Sequence, residues 1–381
     1  MRWIFMQIIV GTKEALEETR IALTPSAAGR YVALGFVVWI ENGLGEHLGY
    51  QNGDYEKKGA LVRGREALLK EGDIHLRVNP YPLHEISLLR KGAFHISFYD
   101  PFHNHDDTNA FLEHAVTSIS MQMIPRTTSA QPMDAMTSQG SVAGYAAVML
   151  AATESKVIPM MTTASGTISP AKVFVIGAGV AGLQAIATAK SLRAVVSAFD
   201  TRAVVEEQVR SLGAKFVKVD LGATGQTKEG YALELNQEQL AMQRRAMEEE
   251  IRKANIVITT AALFGKEAPL IVTEEMLLKV DTVPHLVVLD MAKGTGGNVA
   301  GSVLGSTTKV GRVKVMAPRN LPGYYPYDAS HMYANNLFYL LQYFTTDQKF
   351  LPCFTDPILS ASVITHSGEI VHERIVSLQG V

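Results

Sequence analysis

Three glycines and one aspartate carry the most specific chemical signal in this sequence. Gly177, Gly179 and Gly182 are spaced as G-x-G-x-x-G directly after the apolar run Val173 to Ile176, and Asp200 ends a second apolar run, Ala194 to Phe199. Each has a job in holding a dinucleotide: Gly177 makes the tight turn, Gly179 lets a pyrophosphate touch the backbone, and Gly182 lets helix and strand pack closely. The helix that must begin there offers its N-terminal N–H groups and positive dipole end to the phosphates. Asp200, 18 residues beyond Gly182, can accept the hydroxyls of an adenosine ribose and would repel a 2′-phosphate, which favours NAD over NADP. Arg202 pulls the other way, because a guanidinium can pair a phosphate. A glycine-rich turn without a ligand is the bland alternative, and it leaves the acidic strand end unexplained.

A second set of hooks lies in PRTTSAQPMD, Pro125 to Asp134, where Arg126 and Gln131 can fix a ribose hydroxyl and a carboxamide and Asp134 can orient them. Asp134 could instead be a helix N-cap and nothing more. TTAALFGKEAP, Thr259 to Pro269, reads either as a loop over a cofactor or as a strand-to-helix turn, and LDMAKGTGGN, Leu289 to Asn298, is similar, with Gly296 and Gly297 permitting close backbone approach. Tyr231 follows a polar stretch, Asp220 to Gly230, long enough for a lid.

Other clusters are discounted. His103, His105, Asp106 and Asp107 in FHNHDD suggest a metal site, but they stand where a strand gives way to a helix, and Asp106 or Asp107 makes a natural N-cap. Glu248, Glu249 and Glu250 read as a solvated helix face. Cys353 is the only cysteine and reads as a small core residue. No metal is expected.

The elements that position these residues alternate. Strands at Ile8 to Val10, Val37 to Ile40, Ile74 to Val78, Ala93 to Phe98 and Thr117 to Ser120 are separated by helices near Ser26 to Gly35, Ala67 to Leu69, Ile86 to Leu89 and Thr108 to His114. Such alternation implies a mostly parallel sheet covered on both faces. From Met133 to about Thr153 an apolar helical pattern predicts a bridging helix, and the fingerprint then opens a second alternating region. Val180, Leu183, Ile186 and Ala187 mark the expected buried face of the fingerprint helix. A helix from Val204 to Ser211, a charged helix from Gln237 to Ala254, strands at Lys215 to Val219, Ile256 to Thr259, Leu286 to Asp290 and Val313 to Met316, and a helix from Ser330 to Phe344 follow. The tail Pro352 to Val381 reads as strand-like and is expected to return to the first domain. The predicted fold is α/β, two doubly wound Rossmann-like domains with a cleft between them, joined by long helices. Residues 1–136 with 325–381 form one domain and 137–324 the other, the dinucleotide-binding one.

With 381 residues, 47% of them hydrophobic, the chain can build two cores. A net charge of −2 gives no electrostatic reason to expect nucleic acid. A single cysteine rules out a disulfide framework and suits a reducing, intracellular setting. The N-terminal apolar stretch is too short for a signal peptide, Met6 offers an alternative start, and no segment qualifies as membrane-spanning.

In order along the chain, ETRIALTP, LRVNP, PRTTSAQPMD, SQGSVAGYAAV, VIGAGVAGLQAIATAKSL, FDTR, TTAALFGKEAP and GGN resemble the alanine dehydrogenase and nicotinamide nucleotide transhydrogenase superfamily. Within it the chain is similar to the NAD(H)-binding portion of proton-translocating NAD(P) transhydrogenases. The resemblance implies a homodimeric subunit that binds NAD(H) and passes hydride directly to NADP⁺ held by a partner β subunit. It also implies a second, membrane-embedded piece of the alpha subunit that couples transfer to proton movement, and a place on the cytoplasmic side of the inner membrane, reached through those partners. It assigns Arg126, Gln131 and Asp134 to the nicotinamide side, where catalysis occurs, Asp200 to the adenosine ribose and Tyr231 to a mobile loop. The full set of expected cofactor contacts adds Gly177, Gly179, Val180, Ala181, Gly182, Thr201, Arg202, Thr260, Ala261 and Ala262.

Alanine dehydrogenase, or another amino-acid dehydrogenase, is the alternative within the superfamily, and a non-catalytic NAD-binding module is the alternative outside catalysis. The former needs a lysine and a histidine where Arg77 and Asp100 stand, and neither an arginine nor an ordinary aspartate exchanges protons readily near neutral pH. Hydride passage between two nicotinamides needs only proximity, orientation and exclusion of water. With one fingerprint in this chain, the second nucleotide must sit on another. Three positions depart from the family's habit: Arg193 for a usual glycine, Tyr324 for a usual arginine and Ser129 for a common arginine. The last thins positive charge beside the cofactor and predicts weaker NADH binding.

Overall fold

The computed structural model describes residues 7–157, 160–220, 222, 235–263, 265–280 and 286–379. The chain divides into two compact units, Met1–Gln139 with Tyr325–Val381, and Gly140–Tyr324. Tyr231 and nearly all of the expected lid lie outside the described residues.

The first unit opens with β1 (Ile8–Gly11), α1 (Pro25–Ala33), β2 (Val37–Glu41), α2 (Asn52–Glu56), β3 (Leu61–Arg63), α3 (Arg65–Glu71) and β4 (Ile74–Leu76). It continues through α4 (Leu83–Ile86), β5 (Phe94–Ser97), α5 (His105–Glu113) and β6 (Thr117–Ser120). Helix α6 (Ala135–Ser155) carries the chain onward. In the second unit come β7 (Met161–Thr163), β8 (Gly166–Ile168), β9 (Lys172–Ile176), α7 (Val180–Ser191), β10 (Val195–Phe199), α8 (Glu206–Ser211) and β11 (Lys215–Phe216). Then follow α9 (Gln237–Lys253), β12 (Ile256–Thr259), α10 (Glu274–Leu278), β13 (Val287–Asp290), β14 (Ser306–Val310) and β15 (Val313–Ala317). The chain returns through α11 (Pro326–Tyr343), β16 (Thr345–Thr346), β17 (Lys349–Phe350), α12 (Pro357–Ser362), β18 (Val363–His366), β19 (Glu369–Ile370) and α13 (Glu373–Gln379).

Both units are doubly wound. The first sheet has the order β19-β18-β6-β5-β4-β1-β2-β3, parallel from β6 to β3, and the second has the order β11-β10-β9-β12-β13-β15-β14 with only β14 antiparallel. Strands covered on both faces must be apolar throughout, which is why Val173–Ile176 and Ile256–Thr259 are wholly buried. Helix α11 begins with a proline at a position that needs no N–H donor and inserts Tyr333, Leu337, Leu340 and Leu341, each fully buried, into the first core. Each such side chain contributes about 1.5–3 kcal/mol of burial. No described helix is long and apolar enough to cross a membrane.

Several expectations need correction. The tail is not simply strand-like: α12 and α13 flank a strand, β18, that pairs antiparallel with β6, so the return to the first unit is real while the local structure is mixed. Asn104, not Asp106 or Asp107, occupies the α5 cap, with both aspartates in the first turn. Cys353 is exposed in a loop, its thiol 3.3 Å from the Thr355 hydroxyl, because the buried positions there belong to Phe350, Ile358 and Leu359. Hydrogen bonds to Thr355 lower its pKa. Of the run Glu248 to Glu250 on α9 only Glu249 is exposed, since Glu248 pairs with Lys279 at 3.2 Å and Glu250 receives the Ser197 hydroxyl. The buried face of α7 is Gly182, Ala185, Ile186 and Ala189, whereas Val180, Leu183 and Ala187 line a shallow groove shared with α8.

Candidate nucleotide-binding site

The second sheet changes direction of winding between β9 and β12, and three predicted segments stand at the carboxyl ends of the strands on either side of that point. This is where an open α/β sheet leaves a crevice for a ligand. Gly177 follows β9 with φ +96°, and a Cβ there would lie 2.5 Å from the Thr260 hydroxyl. Gly182 is needed for a different reason, because its Cβ would fall 1.9 Å from the Gly177 carbonyl oxygen. Gly179, the α7 N-cap, has ordinary dihedrals, and the nearest atom to its Cβ position is Arg202 Nη2 at 4.0 Å. The space above Gly179 is therefore what a side chain would fill and a phosphate can use. Val180 and Ala181 begin α7, whose leading N–H groups have no partner within the helix. On the other side of α7 the backbone of α6 comes close, since a Cβ on Gly144 would lie 2.2 Å from the Ala181 carbonyl oxygen.

Asp200 directly follows β10, nearly buried, and its carboxylate is heavily used. Oδ2 accepts from the Ala178 N–H at 2.7 Å and Arg202 Nη2 at 2.7 Å, while Oδ1 accepts from the Arg202 N–H and Nε, each at 2.9 Å. The pair is partly enclosed, and these hydrogen bonds raise the Arg202 pKa above its usual value. Thr201 lies half-buried between them. The same carboxylate thus ties the glycine turn to the strand end.

Thr260, Ala261 and Ala262 follow β12. The Thr260 hydroxyl donates to the Gly177 carbonyl at 3.0 Å, and Ala261 is held from both sides by Asn298, whose Oδ1 accepts its N–H at 3.1 Å and whose Nδ2 donates to its carbonyl at 2.9 Å. Asn298 is in turn placed by buried Asp290, which accepts the N–H groups of Ala292, Asn298 and Val299 and the Ser302 hydroxyl. Sequence reasoning singles out the Leu289 to Asn298 loop for its glycines and misses Asp290 and Asn298 as its positioning residues. The one available signal is the acidic end of an apolar strand, repeated from Asp200.

In the first unit, Arg126, Gln131 and Asp134 share one loop after β6, built of successive tight turns. Arg126 and Gln131 are exposed, and buried Ala130 and Met133 pin the loop beneath them. Asn336 of α11 holds its backbone by donating to the Pro132 carbonyl at 2.8 Å. Asp134 caps α6, accepting from the Thr137 N–H at 2.8 Å and the Thr137 hydroxyl at 2.6 Å. The eleven fingerprint-side residues gather at one sheet end, and this trio forms a separate loop.

Arg77 is 1% exposed, paired with Glu14 at 2.8 Å, and donates to the Thr12 hydroxyl and the Lys13 carbonyl. Burial raises the Glu14 pKa. Asp100 accepts from the Phe102 N–H at 2.9 Å and pairs with His103 at 2.8 Å.

The family descriptions Alanine dehydrogenase/PNT, N-terminal domain, and Alanine dehydrogenase/PNT, C-terminal domain, match residues 11–143 and 146–373. The first part of NAD(P) transhydrogenase subunit alpha from Rhodospirillum rubrum is 38% identical over 97% of this chain and 99% of its own length. Its namesake from Rickettsia prowazekii is 36% identical over 96% of both. A solved transhydrogenase structure from Sinorhizobium meliloti, 38% identical, superposes with a TM-score of 0.83 over 97% of this chain and 100% of that one. An L-alanine dehydrogenase structure, 21% identical with a TM-score of 0.81 over 98% and 99% of the two chains, shares the fold. The chain therefore belongs to the alanine dehydrogenase/PNT family, among relatives named as the first part of NAD(P) transhydrogenase subunit alpha.

Proposed function

We propose that this chain is the NAD(H)-binding subunit of a proton-translocating transhydrogenase, transferring hydride directly between NADH and NADP⁺ held on a partner β subunit and active only with its partners. The observation that carries the reading is the convergence of the glycine turn, Asp200 and the Thr260 turn at the switch point of the second sheet. Residues 137–324 are the NAD(H)-binding domain, and 1–136 with 325–381 its companion.

The α7 N-terminus and the open space over Gly179 hold the pyrophosphate, Asp200 takes the adenosine ribose, and Thr260, Ala261 and Ala262 flank the cofactor. Bound there, the nicotinamide supplies the hydride. Arg126, Gln131 and Asp134 orient its carboxamide and ribose, and Tyr231 closes over it to exclude water. None of these residues needs to move a proton. The expected assembly is a homodimer that meets the membrane-embedded alpha piece and the β subunit on the cytoplasmic side of the inner membrane, with no role for nucleic acid. An amino-acid dehydrogenase is disfavoured because Arg77 is committed to Glu14 and, as a guanidinium that stays protonated, is a poor proton donor to a keto acid.

The test follows NADPH formation when the purified chain, NADH and an isolated NADP⁺-loaded β-subunit domain are mixed, with pyruvate plus ammonia as a parallel arm. Turnover only with the partner domain is expected. Turnover with pyruvate would overturn the reading, and NADH binding without turnover in either arm would make the chain a binding module.

A further inference from the structure

The Asp200–Arg202 pair is more constrained than a simple ribose contact requires. A carboxylate offers about four acceptor positions. At Asp200 three are taken by Arg202, through its N–H, Nε and Nη2, and one by Ala178. Ribose hydroxyls therefore reach this carboxylate only where the guanidinium yields an edge. The guanidinium itself stands at the rim of the phosphate cradle, with Nη2 4.0 Å from the Cβ position of Gly179. A guanidinium beside the acidic end of the second fingerprint strand is the chemistry that receives a 2′-phosphate, bidentate and always charged. Here its charge is matched by the carboxylate it grips.

We propose that Asp200 and Arg202 form a cofactor selector, in which Asp200 admits an unphosphorylated adenosine ribose and also masks a latent 2′-phosphate site on Arg202. The inference rests on the nucleotide-binding reading above and deepens it: the arginine that makes the sequence ambiguous between NAD and NADP is held out of use by the residue that decides for NAD. Arg202 is thus a specificity-determining residue whose effect appears when Asp200 loses its charge. A phosphorylated nucleotide meets two obstacles in the native site, repulsion from the carboxylate and a guanidinium already paired.

Binding of NADH and of NADPH, followed by nicotinamide fluorescence, separates these elements in the native chain and in Asp200→Asn, Arg202→Gln and the double variant. Asp200→Asn should weaken NADH binding and tighten NADPH binding at least tenfold, and the gain should shrink with added salt. The double variant should lose the gain, and Arg202→Gln alone should show none. Asp200→Gly, which removes any residual hold of an amide on the guanidinium, should reproduce the gain. Unchanged NADPH affinity in both Asp200 variants, or a gain that survives in the double variant, would overturn the selector while leaving NADH binding by the native chain intact. A native chain that binds neither nucleotide would overturn the nucleotide reading itself.

Discussion

Gly179 and Gly182 belong to one motif yet answer to different physics, and substitution separates them. At Gly179, with φ −77° and 4.0 Å of clearance, alanine costs no more than a weakened cap, about 1 kcal/mol, but its methyl occupies the cradle. Gly179→Ala should keep its melting temperature within a few degrees and lose at least tenfold in NADH affinity by titration. At Gly182 the methyl has nowhere to go, and Gly182→Ala should lower stability by about 3 kcal/mol in urea unfolding followed by circular dichroism. The glycine spacing is legible in the sequence because both demands are local. The Asp290–Asn298 brace is not, since it joins two loops by side-chain hydrogen bonds that leave no periodic trace.

At the scale of elements, caps and helix ends give sharper tests than helix interiors. Asp134 caps α6 through Thr137, so Asp134→Ala should cost about 1 kcal/mol and Asp134→Ser, which keeps an acceptor, should recover most of it. Under the proposed function the serine variant stays stable but transfers hydride slowly; equal recovery of stability and rate would reduce Asp134 to a cap. Arg193 follows α7 with φ +63°, a left-handed conformation that costs a side chain about 1 kcal/mol. The departure from a usual glycine thus has a conformational cost, and Arg193→Gly should raise the urea midpoint of the second unit. The parallel strands are readable because full burial forces apolar runs. Polar edge strand β14 and three-residue, half-exposed β3 carry no such run and stay hidden in the pattern. Helix α12 is announced only by Asp356 and Pro357, a cap and first-turn pair masked by the apolar residues around it.

At the scale of the whole molecule, the histidines are distributed unevenly, and this predicts an uneven response to acid. Of eleven histidines only His285 falls within 140–324, leaving ten in the first unit. Two of them, His75 and His95, sit opposite each other on β4 and β5 beside Tyr81, fully buried. Burial pushes the His75 pKa down to about 3, with Arg77 and Arg90 adding to the fall, and burial together with His75 and Arg77 drives His95 well below its usual value. A histidine kept neutral by folding binds its proton only when the chain unfolds. Its contribution is therefore intact above pH 6.5 and is lost as pH falls from there toward the folded value. For His75 the loss between pH 7 and 5 is about 2 kcal/mol, and His95 acts in the same direction. Glu14, whose pKa burial raises, works the opposite way: its offset sets in as pH falls through its raised folded pKa and is complete once the pH is below its unfolded value. Both tryptophans, Trp3 and Trp39, lie in residues 1–139, so tryptophan fluorescence follows the first unit alone. Urea unfolding by fluorescence should shift to lower urea at pH 5 by more than the part of the circular-dichroism change that fluorescence does not follow. Both His95 ring nitrogens are buried without a hydrogen-bonding partner among the described residues, so an apolar ring there costs no hydrogen bond to them, and His95→Phe should flatten the fluorescence-detected pH dependence. An equal pH shift in both transitions, or an unchanged slope in the variant, would mean that acid acts through other groups.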